Sequence, residues 1–273
     1  MIFLNVFIVF LLFVGCTKNI PTPQEREQNL FSLIEKENLT QYDIQTSTFN
    51  IFSLQTNLNN CKNKDIKIYI EGDGLSWLSR RTISDNPTPI NPISLKLMNQ
   101  DKSQCKVYLA RPCQYTNSMM CDKKYWTSHR FSKEIISSYN ESLDFIKKEY
   151  KNSSFTLIGY SGGGAIVTLL SATRSDIDSF VTIAGNLDIE KWTTMYNLSK
   201  LDGSLNPADY SKKLENIKQF HMIGSDDRII PKDIFLSYLS NFEKKDKISF
   251  ELFKSDHNCC WEEYYKEVLN RRK

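Results

Sequence analysis

The sequence predicts an α/β fold, a mostly parallel sheet with helices on both faces. Three observations carry that expectation. Short apolar runs alternate with longer stretches of helical periodicity, an order that feeds parallel strands. The runs end in glycine- or proline-bearing loops, among them "EGDG", "ARPC", "GYSGG", "IAGN", "GSDD" and "KSDHN". At 273 residues, 40% hydrophobic and 25% charged, the chain is long enough for one sizeable core and short for two.

Taken in order, "EREQNLFSLIEKENL" is a helix whose apolar face is Leu30, Leu33, Ile34 and Phe31. "FNIFSLQTN" alternates and reads as a half-exposed strand, while "DIKIYIEGDG" and "CKVYLARP" are strands stopped by glycine and proline. A polar, cysteine-flanked loop covers 111–128. The helix Phe131–Tyr150 follows, turning Ile135, Ile136, Leu143 and Ile146 inward. "SFTLIGYS" is a strand, "GGAIVTLLSAT" a helix and "DSFVTIAGN" a strand. Residues 186–215 read as an irregular, cap-like excursion in which Trp192 and Tyr196 are free to cover something. "IKQFHMIG", "PKDIFLSYLSNF", "KISFELF" and "CCWEEYYKEVLNRR" close the chain as strand, helix, strand and helix. In such sheets the working residues lie beyond the carboxyl ends of the strands, so those loops share one reactive edge.

Charge excludes little and suggests less. The net charge is +3, from 35 basic and 32 acidic residues, with no basic run interleaved with aromatics. Nucleic acid is therefore not an expected partner. The stretch "MIFLNVFIVFLLFVGC" is uncharged and apolar, shorter than the ~20 residues a spanning helix needs, and polar chain follows it. It reads as a signal peptide over 1–15, and "FVGC" resembles a bacterial lipobox, although Phe13 stands where Leu is usual. On that reading Cys16 carries the lipid, 16–29 is a tether, and 30–273 is the domain. A plain signal peptide or an uncleaved anchor are the alternatives, and each puts the domain outside the cytoplasm. Thr17 after the cysteine, in place of Asp, favours an outer membrane in a cell with two. Six further cysteines, Cys61, Cys105, Cys113, Cys121, Cys259 and Cys260, suit an oxidising compartment. Their spacing suggests no metal site, and no organic cofactor is expected.

"GYSGG" fits the G-x-S-x-G turn between strand and helix. That turn presents Ser161 on a sharp, strained corner. Side chains two positions either side would collide, hence Gly159 and Gly163. Gly162 offers an N–H at the helix start, where the helix dipole favours developing negative charge. A serine hydroxyl needs a base to take its proton. The chain has three histidines. His129 precedes the serine, and His221 lies inside a strand as a buried, satisfied residue. His257, just past "KISFELF" on the reactive edge, is the expected base. The acid that orients it should follow a strand between the two. "GSDDRIIP" offers Asp226 and Asp227, and Gly224, Ile230 and Pro231 favour Asp227, whereas Asp256 suits a loop cap. A second oxyanion donor is expected from an N–H of Asp73, Gly74 or Leu75 in "EGDGL". The Asp73 carboxylate should then point away, towards Arg80 or Arg81.

With Ser161, Asp227 and His257 in that order, the chain from about Ile44 resembles the α/β-hydrolase superfamily, and more narrowly exported bacterial α/β-hydrolase lipoproteins. "YIEGDGLSWLSR", "NPISLKLM", "VYLARPCQY", "YWTSHRFS", "GYSGGGAIV", "GSLNPAD" and "DHNCCW" carry the resemblance. It implies an α/β-hydrolase fold and a membrane-held serine hydrolase acting on a small-molecule or lipid ester through an acyl-enzyme. Cleavage of amides or peptides by the same triad, or a non-catalytic binding lipoprotein, are the rival readings. Trp77, Tyr115, Trp126, Arg130 and Trp192 are candidates to line the pocket. In this fold the strands after Cys61 and Cys105 are parallel neighbours, so these two can bridge at the amino edge. A second bridge is expected from the 111–128 loop to Cys259 or Cys260, since adjacent cysteines pair poorly with each other.

Overall fold

The computed structural model describes residues 20–34, 37–116 and 118–271; the expected signal segment and Cys16 lie outside them. Helix α1 (Pro23–Ile34) comes first, followed by strands β1 (Thr40–Gln45), β2 (Asn50–Gln55) and β3 (Asp65–Ile70). Helix α2 (Ile93–Gln100) leads to β4 (Lys106–Leu109), and α3 (Lys133–Tyr150) to β5 (Ser154–Tyr160). Then α4 (Gly162–Ser171), β6 (Ile177–Ile183), α5 (Ile189–Met195) and α6 (Ser211–Leu214) alternate. The chain closes with β7 (Lys218–Gly224), α7 (Lys232–Ser240), β8 (Ile248–Phe253) and α8 (Trp261–Arg271).

These strands form one eight-stranded sheet in the order β1-β2-β4-β3-β5-β6-β7-β8. β1 and β2 are antiparallel additions, and the six from β4 to β8 run parallel. Alternation sorts side chains onto two buried faces. Ile66, Ile68 and Ile70 of β3 face the core with α3 and α4, while Tyr69 faces α1, α2 and α8. Strand order reverses at β3: β4 lies on one side and β5 on the other. Ligand crevices form outside such a switch point. The register Ile70↔Gly159 ends β3 and β5 side by side, which brings the loop after Ile70 against Ser161.

Several expectations change in detail. α1 starts at Pro23, inside the stretch expected to be tether, because Arg26 is buried and its guanidinium donates to the carbonyls of Asn86 and Thr88. The 186–215 excursion is helical in part: Asp188 caps α5 by accepting from Lys191 N at 3.1 Å, and Asn206 Oδ1 accepts from Ile189 N. Cys61 and Cys105 are bridged as expected. The second bridge is not as expected. Cys113 pairs with Cys121 inside its own loop, their Cα atoms 5.7 Å apart, so Cys259 and Cys260 are joined to each other. The 111–128 loop satisfied its own cysteine locally and left the pair beside α8 with no other cysteine partner among the described residues.

Candidate active site

Ser161 sits at φ 51° and ψ −117°, off the ordinary regions for an L-residue. The strain is over-determined by close packing around it. A Cβ on Gly159 would lie 2.2 Å from the carbonyl oxygen of Gly163, and one on Gly163 would lie 2.3 Å from that of Ile70. No other residue lets β5 turn into α4 this tightly against β3.

His257 follows β8 and reaches back to the serine. Its Nε2 lies 3.0 Å from Ser161 Oγ, and its Nδ1 lies 2.8 Å from Asp227 Oδ2. The Asp227 side chain is fully buried, and its other oxygen accepts from Ile229 N and Ile230 N at 2.8 Å each. Two donors on one oxygen leave the second aimed at the imidazole. Asp226 is exposed, and Asp256 caps its own loop by accepting from Asn258 N and Cys259 N. The carbonyl of His257 is held by Tyr160 Oη at 2.7 Å and Trp261 Nε1 at 3.0 Å. His221 is buried between Thr182 and Gln219, and burial pushes its ring down to about 3, so it stays neutral.

The oxyanion side carries more correction. Leu75 N donates to Pro87 O at 3.0 Å and Gly72 N to Glu71 Oε1 at 2.9 Å, so neither is free. Among the described residues, the N–H groups of Asp73, Gly74 and Gly162 have no hydrogen-bond partner, so two of the three expected loop donors, Asp73 and Gly74, stay free beside Gly162. The Asp73 carboxylate turns not to Arg80 or Arg81 but to Arg111 Nη1 and Arg130 Nη1, each at 2.7 Å. Burial works to raise this carboxyl, yet the two guanidinium groups hold it below the usual range. A Cβ on Gly162 would lie 2.1 Å from Asp73 Oδ1, so this ion cluster rests directly on the elbow. Gln114, fully buried, ties the same loop down. Its Nε2 donates to Gly72 O at 3.0 Å and Pro87 O at 3.3 Å, while its Oε1 accepts from Arg111 N. Gly74 turns at φ +64° over Pro87 and Gln114.

Of the expected pocket residues, Arg130 and Trp192 come together, the guanidinium 5.8 Å from the ring centroid. Trp192 Nε1 also donates to Ile229 O, and Tyr196 Oη to Arg228 O, so the excursion lies over the Asp227 loop. Trp126 is instead a core residue donating to Ser84 O, and Tyr115 packs on Phe52, with ring centroids 5.0 Å apart. Trp77 stands out on a hairpin, 42% exposed. Sequence reasoning passed over Arg111 and Gln114. The available signal was "ARPCQ" itself, a cation and an amide just after the apolar run Val107–Ala110 on the reactive edge.

A serine on a strained strand-to-helix corner, at the carboxyl edge of this mostly parallel sheet, defines a hydrolase of the α/β-hydrolase superfamily. The serine hydrolase (FSH1) family pattern matches residues 81–259, well over half the chain, and the protein belongs to that family. No curated protein matches the sequence. Among solved structures the chain is similar to the esterase Pf2001 of Pyrococcus furiosus, at 13% identity over 93% of this chain and 94% of that one, with a TM-score of 0.59. It is similar also to Est1E from Butyrivibrio proteoclasticus, at 14% identity, 85% and 96% coverage and a TM-score of 0.58. The acylaminoacyl peptidase of Pyrococcus horikoshii matches at 10% identity, with 89% of this chain, 42% of that one and a TM-score of 0.58. Likeness at these identities establishes the fold.

Proposed function

We propose that the protein is an extracytoplasmic, membrane-attached carboxylic-ester hydrolase that uses Ser161, His257 and Asp227 through an acyl-enzyme. The observation that carries this reading is the unbroken relay of 3.0 Å from Ser161 Oγ to His257 Nε2 and 2.8 Å from His257 Nδ1 to Asp227 Oδ2. His257 Nε2 takes the serine proton as Oγ bonds to the ester carbonyl carbon, and the carbonyl π electrons move onto oxygen. The N–H groups of Gly162 and Asp73 receive that oxyanion, each worth ~3 to 4 kcal/mol of barrier. Collapse expels the alcohol, which takes the proton from His257. Water then repeats the sequence and frees the acid. Asp227 never needs the proton: its fixed oxygen orients the ring and stabilises its cationic form.

Esters are favoured over amides because two neighbours that match over most of both chains, Pf2001 and Est1E, are named as esterases, whereas the peptidase matches over 42% of its length. The apolar segment 1–15 and Cys16 support attachment at the envelope. Fluorophosphonate labelling of wild type but not Ser161→Ala, followed by turnover of a matched ester and amide, tests both parts. A label on Ser161→Ala equal to wild type would end the serine assignment. Faster turnover of the amide would end the ester assignment.

A further inference from the structure

We infer that the reactive edge faces an anionic lipid bilayer, with the hairpin 76–84 as the docking element; this rests on the proposed membrane attachment and supplies lipid-borne esters as the substrate class. The hairpin leaves the oxyanion loop directly. Ser84 N donates to Ser76 O at 3.0 Å, Leu78 N to Thr82 O at 2.9 Å, and Trp77 pairs with Ile83. Its base is fixed by Leu75 N on Pro87 O and by Trp126 Nε1 on Ser84 O. Its tip is "WLSRRT", exposed at all six positions. An indole and a leucine at 42% exposure each stand beside Arg80 and Arg81, and neither arginine has an ion-pair partner among the described residues. Indole, aliphatic chain and guanidinium together suit the headgroup boundary, where rings and stems bury and cations meet lipid phosphate. Asp85, one residue past the hairpin, is paired with Lys123 at 2.5 Å.

The second observation is where the N-terminal chain arrives. Asn86 O accepts both Ser84 Oγ at 2.7 Å, from the hairpin, and Arg26 Nη1 at 3.2 Å, from α1. The start of α1 is thus joined to the hairpin base through one carbonyl. Ile20 and Ile90, both exposed, border a recess beside it with Pro21, Glu25 and Asn29. Cys16 stands four positions before Ile20, a reach of no more than ~14 Å of extended chain. An attachment point that close leaves little freedom to turn the hairpin away from the bilayer.

The test uses the full chain in vesicles of phosphatidylglycerol and phosphatidylcholine, with brominated acyl chains as quencher. The segment 1–19 contains no tryptophan, and Trp126 and Trp261 are buried, so quenching reads Trp77 and Trp192. Quenching should be strong in wild type and largely lost in Trp77→Phe. R80E/R81E should lower both quenching and turnover of a vesicle-borne ester by roughly thirtyfold or more, from ~1 kcal/mol for each of two cations near an anionic surface, while turnover of a short soluble ester is unchanged. Quenching indifferent to Trp77→Phe overturns the docking, whatever the activity. Loss of soluble-ester turnover in R80E/R81E also overturns it, because the hairpin would then act on the oxyanion loop. Wild type that is quenched through Trp77 yet cleaves no ester would leave the docking standing and remove the esterase reading instead.

Discussion

The two halves of the site are built differently. On the β5–β8 side, three side chains meet through two hydrogen bonds, and each sits where its own strand ends. On the β3–β4 side, the loop that carries Asp73 N–H is held by two buried arginines, a buried amide and a fully buried glutamate, drawn from three separate places in the chain. In the proposed mechanism the first half performs the proton transfers with few supporting atoms. The second half holds backbone donors still, and a backbone donor can be aimed only by fixing everything around it. The proton relay should therefore fail completely at single residues, and the oxyanion half should fail by degrees.

The largest effect belongs to the first half. Ser161→Ala or His257→Ala should lower kcat for ester cleavage by about 10⁴-fold or more with the melting temperature little changed; retained turnover in both would erase the contrast between the halves. Next comes Asp73→Ala, which leaves Arg111 and Arg130 buried beside the elbow without their anion. A charge stripped of its buried partner typically costs ~3 to 5 kcal/mol. Loss of both stability and activity is expected, read by denaturant unfolding and kcat. Asp73→Asn keeps the shape and one hydrogen-bond acceptor, so it should lose less of each. A mutant as stable as wild type would mean the cluster carries no structural weight.

The same division explains what could be read from the chain. The nucleophile turn, the order serine–aspartate–histidine and the alternation of strand and helix are local patterns, so the parallel sheet and the meeting of Ser161, Asp227 and His257 at its edge were legible. The partners of Asp73 were not. Arg80 and Arg81 are near in sequence but ride out on the hairpin, whereas Arg111 and Arg130 arrive through β4 and the turn before α3. Long-range ion pairs leave no periodicity. β1, α2 and the helical pieces of the excursion were hidden for a related reason: β1 has a single buried position in six, and the excursion is braced by Asn206 on Ile189 and Asp188, seventeen and eighteen residues away. The disulfide exchange between loops failed because a pairing depends on which loop closes on itself.

A smaller effect comes from Glu71, at the end of β3. Burial pushes its carboxyl up to about 7, against donors from Gly72 N, Ser94 N and Tyr108 Oη that favour the ionised form. The folded state holds this proton more tightly than the unfolded chain. Its contribution to stability is therefore complete below the ordinary carboxyl range and is lost as pH rises towards 7. Over that window the loss is roughly 3 kcal/mol at ~1.4 kcal/mol per pH unit. Glu71→Gln should flatten the dependence between pH 4.5 and 8 in denaturant titrations; an unchanged slope would assign it to other groups.

The smallest expected effect is also the sharpest probe of the oxyanion half. Gln114 touches neither serine nor imidazole, and lies between two non-glycine residues at positive φ, Cys113 at 69° and Tyr115 at 58°. That backbone is held open by the Cys113–Cys121 bridge and delivers one amide to three backbone groups, Gly72 O, Pro87 O and Arg111 N. Gln114→Leu removes all three bonds but fills the same space. With the loop still packed, substrate should bind as before while the Asp73 N–H loses its aim. That is a fall in kcat of about tenfold with KM near wild type, the signature of an interaction made only in the transition state. A Glu at this position keeps the acceptor for Arg111 N but sets a carboxylate against two carbonyls, so it should be worse than Leu. If KM rose and kcat held, Gln114 would shape the binding surface, and Asp73 N–H would keep its aim without it.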